Sequence, residues 1–82
     1  MTMYTVKTHK EEADAIISGN KMFVMRSAQP HLEVGNNISF SVIDAQRILP
    51  HPIEERVYRI THVERGYPIH DGIVAIGFRP VE

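Results

Sequence analysis

Nothing in this sequence can cross-link it, because its 82 residues include no cysteine. The fold must therefore be held by burial, hydrogen bonds and ion pairs, without a disulfide framework, a thiolate metal site or a cysteine nucleophile. That condition is demanding at this length: so short a chain buries only about 60–65% of the surface its unfolded form exposes. There is room for a single domain over residues 1–82 and none for a second core. Hydrophobic residues make up 43% of the chain, enough for that core and too many for a disordered segment. The lack of cysteine also fits a reducing, cytoplasmic setting. Met1–Lys7 is too short and polar for a signal peptide, and no apolar run approaches the roughly 20 residues that cross a bilayer, so no membrane association is expected.

Tyr4–Lys7 predicts a first strand. Thr8-His9-Lys10-Glu11 matches a capping box, with Thr8 as N-cap and Glu11 reaching back. Ala13, Ile16 and Ile17 then share a helical face, while Glu11, Glu12 and Asp14 occupy the early turns, where the helix dipole favours negative charge. Ser18-Gly19-Asn20 stops the helix, with Gly19 as a left-handed cap. Met22–Met25 has strand character, Ser27–Glu33 with Pro30 reads as a loop, and Val34-Gly35-Asn36-Asn37 is a turn. Ile38-Ser39-Phe40-Ser41-Val42 alternates strictly, sending Ile38, Phe40 and Val42 to a core. Asp44–Glu54 has no period and carries His51 between Pro50 and Pro52, which predicts a long connection without regular structure, either a functional loop or a mobile one, with His51 exposed. Arg56–Val63 and Ile73–Phe78 are the remaining strands, separated by turns at Arg65–Pro68 and Asp71-Gly72. One strand, one helix and four further strands give an α+β class. Short strands between turns suggest a small closed barrel with the helix over one opening.

Nine Lys and Arg stand against ten Asp and Glu, a formal net charge of −1. Surfaces that grip many phosphates carry a basic excess, so any nucleic-acid contact here should be local and pocket-like. Arg26 offers a planar fork suited to a phosphate or a carboxylate; the alternative is an ion pair with a neighbouring acid. Lys21 as a nucleophile or base would need its pKa pulled well below about 10.4, by burial or a nearby cation. Residues five apart on a strand point to opposite faces, so Lys21 and Arg26 reach one cleft only if Lys21 lies in the turn. Lys7 would add a third positive group from the neighbouring strand, or simply face solvent. Tyr58 and Tyr67 would stack on a base, or else pack. The five histidines, His9, His31, His51, His62 and His70, contain no i,i+4 pair of the zinc-helix kind, so no metal and no cofactor are expected. So small a core would also suit a homodimer.

The stretch Ile17–Arg26, with Gly19, Lys21 and Arg26, resembles the signature of ASCH (activating signal cointegrator homology) domains of the PUA-like superfamily. That signature is Gly-x-Lys at the end of the first helix, then a strand ending in Arg five residues after the Lys. Val34-Gly35-Asn36 is similar to the family's Val-Gly-Asp turn. The segment around Lys7, the Gly66–Pro68 turn and the terminal apolar strand also look like those of small bacterial single-domain members. The resemblance covers essentially the whole chain. It implies a PUA-like β-barrel of about five to six strands with one N-terminal helix. It also implies a cationic cleft for RNA or a nucleotide-like ligand, with Lys7, Gly19, Lys21, Arg26 and Ser27 as binding residues and the Ser27–Glu33 loop as a wall. A branch of the superfamily hydrolyses N4-acetylcytidine with a Lys, a Thr three residues later and a late Glu. Lys21 holds the Lys position here, Val24 stands at the Thr position, and Glu64 is the nearest acid. Valine neither hydrogen-bonds nor relays a proton, so the resemblance implies binding without catalysis. The alternatives are an amidohydrolase using Lys21 and a coactivator-like protein-interaction module.

Overall fold

Six strands and one α-helix follow one another in the computed structural model, which describes residues 3–30, 32–66 and 68–81. They are β1 (Met3–Thr8), α1 (Lys10–Ile17), β2 (Phe23–Ser27), β3 (Asn37–Asp44), β4 (Arg47–Leu49), β5 (Tyr58–Glu64) and β6 (Ile73–Pro80), with a 3₁₀ turn at Pro52–Glu55 between β4 and β5. The strands form one mixed sheet in the order β1-β3-β5-β6-β2, and β4 hairpins back onto β3. β1 runs parallel to β3, from Met3 opposite Asn37 to Thr8 opposite Val42. Every other pairing is antiparallel.

The alternation at Ile38–Val42 does what its period requires: Ile38, Phe40 and Val42 are buried. Phe40 meets Tyr58 and Phe78 with ring centroids 5.3–5.5 Å apart, in edge-on and tilted geometries. Each such pair contributes about 0.5–1.5 kcal/mol beyond the area it buries. Tyr58 is therefore a core residue, and its role is packing. Ala13 and Ile16 of α1 and Val24 of β2 complete the same core.

The α+β class is what the sequence implies, but the sheet is not closed. Its path ends on β1 at one side and β2 at the other, with no ladder between them among the described residues. The two edges nevertheless approach, since Arg26 Nη2 donates to Lys7 O across the gap at 3.0 Å.

Three local expectations are corrected. The N-cap is His9, whose Nδ1 accepts from Glu12 N–H, while Thr8 stays in β1 and turns its hydroxyl to the Glu12 side chain. The Asp44–Glu54 connection is not structureless: Asp44 and Arg47 close a two-residue hairpin, and Pro52 opens the 3₁₀ turn. His51 is not exposed either, its side chain being 8% accessible. His51 Nδ1 accepts from Ile53 N–H at 3.1 Å, and Nε2 pairs with Asp14 Oδ1 at 2.7 Å, fastening the turn to α1.

Candidate binding site at the open edge of the sheet

The site begins with the way α1 ends. Gly19 adopts φ +87°, its N–H donates to Ile16 O, and Asn20 N–H donates to Ala15 O, the paired bonds of a Schellman motif. Lys21 N–H also reaches Ala15 O, so the chain leaves the helix with Lys21 in the turn, ahead of β2. That is the position from which Lys21 and Arg26 can meet, despite their five-residue spacing.

They meet on Glu12. Lys21 Nζ donates to Glu12 Oε2 at 2.8 Å, and Arg26 Nη2 to Glu12 Oε1 at 2.5 Å. Thr8 Oγ1 donates to the same Oε1. The Glu12 side chain is only 8% accessible. Burial alone would push its carboxyl up, but the hydrogen bonds from Lys21, Thr8 and Arg26 outweigh that and hold it down at about 2. A single carboxylate between two cations leaves the cluster net positive. Arg26 also donates from Nη1 to Met25 O, so its guanidinium joins β1, α1 and β2.

On one side of Arg26 lies a cleft of about 260 Å³, between the β1 and β2 edges, lined by Tyr4, Thr5, Val6, Lys7, Arg26, Ser27, Gln29 and Leu32. On its other side a shallower groove runs past Lys7, Thr8, His9, Glu12 and Ile43. Of the residues singled out from the sequence, Lys7, Arg26 and Ser27 line the cleft, and from the Ser27–Glu33 segment Gln29 and Leu32 line it too. Gly19 and Lys21 do not line it; Gly19 shapes the turn, and Lys21 holds Glu12 while its Nζ lies 5.3 Å from the Phe23 ring centroid. Tyr67 and His31 lie outside the described residues.

Glu12 is the residue that sequence reasoning missed. Its place in the early turns suggests only a dipole role, yet it stands four residues before Ile16 and therefore on the buried face of α1. That spacing is the available signal. The arrangement offers an oxyanion the positive charge of Lys7 and the Arg26 N–H donors not already given to Met25 O, Lys7 O and Glu12. It does not assemble the hydrolytic set: Val24 is fully buried in the core, whereas Glu64 is exposed and bonded to His62 on the opposite face of the sheet. Lys21 Nζ is already engaged with Glu12. No group of three or more His, Asp or Glu side chains suited to a metal occurs among the described residues, and no helix there is long and apolar enough to cross a membrane.

Compared with known proteins, the chain matches no family model, and no curated protein is significantly similar to it.

Proposed function

We propose that this chain binds RNA or a nucleotide-like ligand without catalysis, holding a phosphate in the cleft between β1 and β2. The observation that carries the reading is that Lys7, Arg26 and Ser27 all line the cleft between the unpaired β1 and β2 edges of the sheet. Lysine offers a point charge, and Arg26, its Nη2 given to Lys7 O and Glu12, adds its positive charge and its remaining N–H donors. The cleft lies just below the roughly 300–1,000 Å³ of drug-sized ligand sites, a scale that fits a phosphate and sugar. A local contact of this kind is also what a net charge of −1 allows. In the ASCH-like reading, the β1–β2 gap is where a PUA-like barrel would close, and a ligand seated there would bridge its two edges.

Fluorescence anisotropy with a short single-stranded RNA tests this. Lys7 is exposed and its side chain takes no part in the Glu12 cluster, so Lys7→Glu probes the cleft without dismantling the fold. Binding should weaken about tenfold, and the slope of log affinity against log salt should flatten by roughly 0.7 for each phosphate the variant no longer neutralises. Equal affinities and salt slopes for the two proteins would sink the reading.

A further inference from the structure

β2 alternates, and the first two residues of its outward row, ahead of Ser27, are apolar. Val24 is buried and Arg26 half-buried, while Phe23 is 53% exposed and Met25 49% exposed. Scattered exposed apolar side chains are ordinary. These two are adjacent on one face, and their cross-strand neighbours are the smallest available: Phe23 stands opposite Gly77, and Met25 opposite Ala75. On the far side of β6, Gly77 is opposite His62 and Ala75 opposite Glu64. Cross-strand partners share a face, so the sheet carries a shallow trough. Its floor is Gly77 and Ala75. One wall is Phe23 and Met25, and the other is the bonded pair His62 and Glu64. With strands about 4.8 Å apart, the walls are roughly 10 Å from each other. Lys21 stands at the Phe23 end, its Nζ 5.3 Å from the ring centroid and bonded to Glu12, the carboxylate that also holds Arg26.

We infer that this trough is a stacking platform for a base of single-stranded RNA, with Phe23 as the stacking ring. The inference rests on the binding reading above and extends it to a second contact. An aromatic ring on an open sheet face accepts any base through its π-face, and such stacking is sequence-tolerant. The charge beside the ring favours an anion: Lys21 and Arg26 share the single carboxylate of Glu12, so one positive charge is left over at the Phe23 end of the trough. Area argues against a second copy of the chain as the occupant. A stable dimer buries about 800 Å² and roughly 20–30 residues on each partner. Two half-exposed side chains over a glycine and an alanine fall far short of that.

The test compares a short single-stranded RNA with an abasic strand of the same length, by anisotropy and by NMR of the Met25 methyl and Phe23 ring signals. Phe23→Ala and Phe23→Leu change only an exposed side chain. Both should weaken RNA binding about 5–100-fold with the salt slope unchanged, whereas Phe23→Trp retains or improves it. The abasic strand should bind wild type and Phe23→Ala alike, and only the base-containing strand should shift the Met25 methyl. RNA binding that Lys7→Glu weakens and Phe23→Ala does not would overturn the platform while leaving the cleft in place. Binding of neither strand by wild type would overturn both. A concentration-dependent rise in mass that Phe23→Ala abolishes would assign the patch to self-association and overturn the platform.

Discussion

The two sides of this sheet are held by different physics. Around β3, β5 and β6, antiparallel ladders and three touching rings bind the strands together. Among the described residues no ladder joins β1 and β2; a buried carboxylate and a guanidinium connect the edges. Ladders and apolar packing carry no titrating charge, whereas a charge cluster responds to pH and is screened by salt. The responsive side is also the one with the cleft, so the place least committed to backbone pairing is where a ligand has donors to meet.

The largest test of this contrast is on the ring side. Phe40→Ala or Phe78→Ala removes the centre of the aromatic cluster and should cost about 3–5 kcal/mol. For a domain of this size each kcal/mol lowers Tm by about 4–8 °C, so the midpoint should drop by well over about 10 °C in a thermal melt. The loss should be the same at pH 7 and pH 4. A loss below about 1 kcal/mol would mean that the rings do not dominate that half.

Glu12→Gln is next. The folded-state pKa of Glu12 lies at about 2, below its ordinary value of 4.5. The stabilisation from this depressed carboxyl is therefore fully present above about pH 4.5 and is lost as pH falls towards 2. A difference of that size corresponds to about 3 kcal/mol, reduced to about 2 kcal/mol because Lys21 and Arg26 are partly open to screening water. Urea unfolding should show Glu12→Gln less stable by that order at pH 7, with the gap to wild type shrinking as pH drops through this window. A gap that stays constant down to the lowest pH would show that the cluster contributes packing and not charge. His51→Ala is smaller: it removes the cap of the 3₁₀ turn and the bond to Asp14, and should cost about 1–2 kcal/mol by the same measurement. An unchanged midpoint would reduce His51 to a surface side chain.

What is legible in the sequence follows the same division. Period and turn chemistry are local, so β3, the stop at Gly19 and the buried row Ile38, Phe40 and Val42 can be read from it. The partners of Arg26 and His51 cannot, because Glu12 is 14 residues from one and Asp14 is 37 from the other. Spacing along a chain says nothing about such pairs until the topology is fixed. An ion pair for Arg26 is foreseeable as a type, but its acid is not identifiable. Lys7 and Ser27 line the cleft, while Lys21 holds the other oxygen of the Glu12 carboxylate that Arg26 binds. Sheet closure depends on the β1–β2 distance, which no strand pattern encodes.

β4 is hidden for a different reason, and that reason supplies the smallest test. Its hairpin turns on Ala45 at φ +49° and Gln46 at φ +68°. Two consecutive left-handed residues define a primed hairpin turn, for which the recognisable sequence is Asn-Gly. Alanine and glutamine carry no such signal and sit there under strain, since a β-carbon in that region costs roughly 1–2 kcal/mol. Replacing Ala45-Gln46 with Asn-Gly should therefore stabilise the protein, by about 1 kcal/mol once glycine's extra freedom in the unfolded chain is counted. Because this strain belongs to the backbone of the β3 side, the gain should be equal at pH 7 and pH 3. A gain that faded together with the Glu12 contribution would show that the hairpin is coupled to the charge cluster through α1, and that the two sides of the sheet are not independent.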